Sequence, residues 1–258
     1  MTCLRQLRVD RVTTPSSSRD AIDTADSSRL RSIRGARAAG IPPRAGARPP
    51  EGAPMPSFTE ELRTQRWDDH RYYHHSRVNQ ALHFVSALSF ITAYALLFVE
   101  PALAAWLAWG VAMTTRQAGH FFFEPRGYDT VNRASHEHKE EIKVGYNLQR
   151  KVVLMAAWAA VPVALWAAPT LGGLIEPAAD AAGYAHDVGI AWLALGVAGL
   201  VLRTVQLAAT RGVQTGLVWA TKIVTDPFHD AWLYRGAPAA LLRGEWIDPM
   251  HNVTSHRG

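Results

Sequence analysis

A single cysteine, Cys3, stands in the 258 residues. One thiol can build neither a disulfide framework nor a thiolate zinc site. No G-x-G-x-x-G, no Walker loop and no G-x-S-x-G occurs, so nucleotide binding and serine-hydrolase chemistry lose their usual support. Net charge is missing from most of the chain. Residues 55–258 hold 17 Lys+Arg against 17 Asp+Glu, and the whole excess of +5 sits in residues 1–54. No basic face with interleaved aromatics follows, which argues against a nucleic-acid partner despite a pI near 9.6.

Residues 1–54 carry ten Arg and five acids, but no Lys, no His and no sustained apolar period. Such a stretch buries too little apolar surface to offset its ordering entropy, and it reads as a disordered basic tail. It lacks the apolar h-region of a signal peptide, and its acids argue against a transit peptide. An alternative is that translation starts at Met55. Ser57, three residues ahead of Glu60, is a capping-box pattern that opens a helix directly afterwards.

What is abundant in 55–258 is apolar sequence. "ALHFVSALSFITAYALLFV" (81–99), "PALAAWLAWGVAMTT" (101–115), "VVLMAAWAAVPVALWAA" (152–168) and "VGIAWLALGVAGLVL" (188–202) lack charge apart from His83. The second run is short and must borrow residues beyond Arg116 to span. The runs are apolar all round rather than on one stripe, which favours membrane spans over core helices of a soluble protein. Pro162 is tolerable inside such a helix. Basic residues are absent from the connections at Glu100-Pro101 and 169–187, yet frequent before 81, between 116 and 151, and after 202. By the positive-inside rule both termini and the middle loop are cytoplasmic. The expected fold is all-α: a polytopic membrane helical bundle with four transmembrane helices, formed by residues 55–258. Ten of the eleven histidines then lie on the cytoplasmic side, His186 being the exception.

"HRYYHHSRVNQALH" (70–83) enters the first run with four histidines. Residues four apart share a helix face, giving the stripes His75–Asn79–His83 and His70–His74, and Arg116–His120–Glu124 on the second run. With a tight turn at Glu100-Pro101, His83 falls opposite about position 117 and Asn79 opposite about 121, level to within a helical turn. Imidazoles and a carboxylate at this spacing on facing helices are how bundles build iron or manganese sites, and zinc accepts the same donors. Interfacial histidines can instead merely bridge headgroups and water. "HEHKEE" (136–141) offers His136, His138, Glu140 and Glu141, or else a solvated helix face. "DPFH" (226–229) and "DPMH" (248–251) read first as helix caps, with His229, Asp226 and Asp230 as ligands only second.

"HHSRVNQALHFV" (74–85) followed by "RQAGHFFFE" (116–124) resembles the family of the yeast 2-hydroxy-fatty-acid dioxygenase and its bacterial membrane relatives. The pattern falls on His74, Asn79, His83, Gly119, His120 and Glu124, and the match covers roughly residues 70–125. The resemblance implies a non-haem Fe(II) enzyme of fatty-acid α-oxidation that uses molecular oxygen to shorten a 2-hydroxy fatty acid or related lipid by one carbon. It implies iron held by some of His74, His83, His120 and His136, with His120 and Glu124 catalytic and Glu124 a ligand or an orienter of one. An inner-membrane location with the site on the cytoplasmic side follows. The sequence departs from the family after Glu124 and beyond Arg203. Competing readings are a membrane di-iron hydroxylase or desaturase, for which "HRYYH" matches one box but no H-x-x-H-H exists, and a non-catalytic lipid-binding membrane protein.

The charge asymmetry makes a direct prediction about topology. A reporter fused at residue 178 should be extracytoplasmic and one at residue 138 cytoplasmic. Finding both on one side would end the four-span reading.

Overall fold

The computed structural model describes residues 56–124, 127–129, 132, 134–144 and 148–250. The expected basic tail and the His251 of "DPMH" lie outside these. The described residues are helical, with two isolated backbone bridges and no strand. The helices are α1 (Phe58–Tyr73), α2 (Arg77–Leu96), α3 (Pro101–Trp106), α4 (Thr114–Phe123), α5 (His136–Ile142), α6 (Leu148–Ala167), α7 (Ala181–Arg211), α8 (Val213–Tyr234) and α9 (Ala237–Leu242); a π-helical segment, Leu107–Met113, joins α3 to α4.

The capping box forms as its spacing requires. Ser57 Oγ accepts from the Glu60 backbone N–H at 3.3 Å, and Glu60 Oε2 accepts from the Ser57 N–H at 2.8 Å. The histidine-rich stretch, however, is not one continuous helix. α1 ends at Tyr73 and α2 begins at Arg77, with Ser76 as its N-cap. The break frees backbone carbonyls, and nearby amides take them up: Asn79 Nδ2 donates to Tyr73 O and Gln80 Nε2 to His74 O, both at 2.8 Å. The segment around Ile247 lies alongside. Arg77 N donates to Trp246 O at 2.9 Å and Asp248 N to His75 O at 2.8 Å. The i,i+4 stripes drawn through this stretch therefore do not hold across residues 74–76.

Each of the four apolar runs lies largely in helix: α2, the α3–π–α4 unit, α6 and α7. Of the described helices, α7 alone is long and apolar enough to cross a membrane, and the apolar stretch of α6, Lys151–Ala167, is shorter. The helices are apolar on their outer faces as well. Val153, Val163 and Trp166 of α6 and Val201, Leu202 and Val205 of α7 are all more than half exposed. The bundle's inner seam is a cluster of Ala105, Trp109, Leu165, Val188 and Trp192. Pro162 sits inside α6 and cannot donate to the carbonyl one turn earlier, that of Trp158. The Trp192 indole N–H fills that place at 2.9 Å, and Tyr184 Oη donates to Pro162 O at 2.6 Å. The proline is thus satisfied by the neighbouring helix, as membrane helices permit.

α8 corrects the reading of "DPFH" as a cap. Pro227 lies in the interior of this helix. Gly212, with φ at 105°, turns the chain from α7 into α8, a conformation that an L side chain resists. α8 then packs against α1, α2 and α7.

Close helix approach makes a testable demand at Gly189 of α7. A Cβ there would lie 2.6 Å from the Ala102 carbonyl oxygen and 2.9 Å from Ala102 Cα, so α3 and α7 would have to separate. Gly189→Ala should destabilise the protein by about 1–3 kcal/mol, as overpacking does. Gly199→Ala, with open space around its Cβ position, should be near neutral. Denaturation of both variants in detergent measures the difference.

Candidate metal centre

Three histidines from three different places in the chain meet at one point. His74 is the C-cap of α1, His83 lies in the second turn of α2, and His120 lies in α4. One potential ligand atom from each falls within 4.8 Å of the other two. His74 and His83 are fully buried, at 1% and 0% exposure. Their rings stand edge to face with centroids 4.2 Å apart, and the His120 ring lies 5.3 Å from His74 and 4.9 Å from His83.

The hairpin accounts for this meeting. Gly119 presses against α2, where its Cβ position is 2.2 Å from Asn79 Oδ1 and 3.4 Å from His83 Cδ2. Gly119 falls midway between the two positions expected opposite His83 and Asn79, and a Cβ there would have to displace the buried Asn79 side chain. The adjacent His120 is thereby set at the depth of His83. The α1–α2 break does the rest. By ending the helix at Tyr73, it folds the His74 ring back onto His83.

The outward nitrogens fix the ring orientations. His74 Nδ1 lies 2.9 Å from the Asp69 carbonyl oxygen, which can only accept, so this nitrogen carries the proton. His120 Nδ1 donates to Glu124 Oε2 at 2.8 Å. His83 Nδ1 faces Asp230 Oδ2 at 3.6 Å, a carboxylate that favours an N–H over a lone pair. The Nε2 atoms of His74 and His83 lie 3.1 Å apart, within hydrogen-bonding distance for the tautomer of His83 that carries its proton there. Burial and then the neighbouring His83 hold the His74 pKa well below the usual imidazole range, so this ring is neutral and keeps its Nε2 lone pair for a ligand. A metal cation between the two nitrogens would take the place of that shared proton. At metal–nitrogen bonds of about 2.1 Å, two imidazole nitrogens sit roughly 3.0–3.4 Å apart for right-angled to tetrahedral coordination. The residues therefore fit a metal ion. The cluster offers three neutral protein donors, one fewer than the four that close a structural zinc site.

A charged lattice supports the ligands. Asp230 Oδ2 accepts from Arg116 Nη1 at 2.9 Å. Burial raises the Asp230 carboxyl, but Arg116 outweighs it and keeps the group ionised, well below the usual carboxylate range. Asp226 binds Arg66 Nε at 3.1 Å and also Lys222, and Lys222 Nζ reaches Asp69 Oδ2 at 3.1 Å. α1, α4 and α8 are thus tied together around the histidines. Tyr234 closes the side, its ring centroid 5.6 Å from His74 and 6.0 Å from His83. Burial keeps its phenol protonated, with the hydroxyl 3.2 Å from His70 Nδ1.

Of the residues expected at the site, His74, His83 and His120 are brought together. Glu124 is an orienting partner: its Oε2 accepts from His120 and its Oε1 from Lys143 at 3.2 Å. His136 is not among the three; it is exposed at the start of α5, where Ser135 caps the helix. His75 turns instead toward Asp129, whose Oδ2 is 3.6 Å from His75 Nε2. Of the supporting residues, Asp230 was expected only as a secondary ligand and stands behind His83 instead, Arg116 was expected only on the stripe with His120, and Tyr234 was not singled out, although Lys222, Asp226, Asp230 and Tyr234 recur every four residues on a mostly apolar helix. Comparison with family models, curated proteins and solved structures returns no match.

The geometry predicts graded effects on metal content. His83→Ala and His120→Ala should each abolish metal binding while the protein still folds and inserts. Glu124→Gln should weaken it by roughly 10–100-fold, the usual cost of losing a partner behind a ligand. His136→Ala and His186→Ala should keep a full complement. Elemental analysis of purified variants checks all five.

Proposed function

We propose that this chain is an iron(II)-dependent membrane dioxygenase acting on a 2-hydroxy fatty acid or a closely related lipid, in fatty-acid α-oxidation. One observation carries the reading. All six residues of the family resemblance serve the same site: His74, His83 and His120 as ligands, Glu124 as the partner of His120, and Gly119 and Asn79 as the packed contact that sets the register. Three neutral nitrogen donors and open positions suit ferrous iron that must meet both oxygen and a substrate.

Iron would be held by His74, His83 and His120 and would supply the redox chemistry that joins oxygen to the 2-hydroxy acid. The chain's own residues do the rest. Asp69 O, Glu124 and Asp230 hold the three rings with Nε2 inward. Arg116 keeps Asp230 ionised, and Tyr234 and the buried imidazoles exclude water from one side. The net reaction balances without an outside reductant. The bond between C1 and C2 breaks, four electrons pass from the acid to oxygen, and the products are the acid one carbon shorter, carbon dioxide and water.

The membrane setting belongs to the same proposal. Four spans with cytoplasmic termini put the histidines at the inner membrane edge. The exposed apolar faces of α6 and α7 support it, since a surface so apolar is costly in water. The test is elemental analysis of detergent-purified protein together with oxygen uptake on 2-hydroxy fatty acids. About one iron per chain, and uptake abolished by His83→Ala, is the expected result. Zinc in place of iron, with no uptake after iron loading, would overturn the reading.

A further inference from the structure

Beside the histidines lies an ammonium group held, among the described residues, only by an ion pair at 4.0 Å. Lys151 is in the first turn of α6, and its side chain is only 12% exposed. Its nearest carboxylate oxygen is Glu124 Oε2, at 4.0 Å, beyond hydrogen-bonding distance. That carboxylate is already engaged, with Oε2 on His120 Nδ1 and Oε1 on Lys143 Nζ. Lys143 has a second carboxylate, Glu140 Oε1 at 3.3 Å, and lies over the Tyr73 ring at 4.0 Å. Two lysines thus converge on Glu124. Lys143 is satisfied, and among the described residues Lys151 makes no hydrogen bond of its own. Its ammonium donors are therefore free to take up an arriving anion.

The surroundings indicate what kind of anion. Lys151 is the last charge before the apolar length of α6. Val152 and Val153 follow at 52% and 69% exposure, and Val163 and Trp166 lie further along at 63% and 79%. Lys151 itself lies on the inward face of α6 with Trp158 and Leu165, one residue before the outward, apolar face begins at Val152. A cation next to the metal ligands at the head of such a helix matches a single-chain amphiphile with its head at the centre and its tail beside the helix. Of anionic heads, a carboxylate is the compact choice for a site shared with a metal ion.

We propose that Lys151 binds the carboxylate head of the acyl ligand and is the residue by which the site selects an acid over its uncharged or phosphate-headed analogues. This rests on the reading of His74, His83 and His120 as the metal centre. Lys151 acts in it as a binding residue for the acid head, with no part in holding the metal.

The experiment uses the full chain purified in detergent, loaded with iron under anaerobic conditions, as wild type, Lys151→Met and Lys151→Arg. Equilibrium binding is measured for hexadecanoate, hexadecanamide and hexadecyl phosphate, with iron content determined on the same samples. Wild type should prefer hexadecanoate to the other two. Lys151→Met should weaken hexadecanoate binding by about 10–100-fold, the worth of a charge-assisted hydrogen bond, and leave hexadecanamide binding and iron content unchanged. Lys151→Arg should restore most of the preference. Equal hexadecanoate binding by wild type and Lys151→Met would overturn the proposal. So would a parallel loss for the amide, which marks a structural role, or a preference for the alkyl phosphate, which marks a phospholipid-head site. A wild type that takes up no iron removes the metal reading on which the proposal depends, whereas failure of the Lys151 comparison in iron-loaded protein removes this assignment alone.

Discussion

His74 Nε2 and His83 Nε2 face each other across 3.1 Å in a site closed to water. His74 Nδ1 donates to the Asp69 carbonyl, whereas His83 Nδ1 makes no hydrogen bond and has Asp230 Oδ2 at 3.6 Å. Withdrawing two imidazoles from water costs solvation, and the structure around them must hold them there. Much of what is unusual in the fold does this. The helix break at 74–76, the amides of Asn79 and Gln80, the segment running past Ile247 and the tight seat of Gly119 on α2 all fix these two rings. None would be needed to pack an apolar bundle.

The charged lattice behind the rings answers the same constraint. Buried ion pairs contribute little net stability, because desolvation offsets attraction. Their value here is positional. Asp230 stands behind His83 because Arg116 holds it, and Asp226, Arg66, Lys222 and Asp69 anchor α8 to α1. Removing one member would leave its partner charged and buried, so the lattice holds one arrangement firmly.

The parts of this arrangement set by local or regular rules were legible in the sequence. Ser57 and Glu60 announce the start of α1. Pro101 places the turn, and helix on either side, α-helical apart from the π-helical segment, then brings His83 and His120 to one depth. The break between α1 and α2 was hidden, because spacing rules assume an unbroken helix and Ser76 can cap only if the chain stops first. The Asp-Pro of "DPFH" obscured α8, since a proline usually opens a helix rather than lying within one. Asp69 contributes a backbone oxygen, which no side-chain pattern encodes. His136 has a promising local spacing, but the cap at Ser135 leaves it at an exposed helix start, and spacing says nothing of tertiary position.

The π-helical segment Leu107–Met113 carries a consequence for how the two halves of its unit are phased. A wide turn accommodates one residue more than an α-helix would, and each α-helical residue advances the face by about 100°. Ala105 upstream and Trp109 within the segment point into the tryptophan-lined seam with α6 and α7. Downstream, Arg116, His120 and Glu124 point toward α2, α8 and the lysines. The extra residue works as an angular coupling between the two faces, letting one continuous rod serve the bundle's seam at one end and the histidines at the other. Spacing along this rod is therefore under rotational as well as axial constraint: a change of one residue in the segment would re-aim every side chain beyond it.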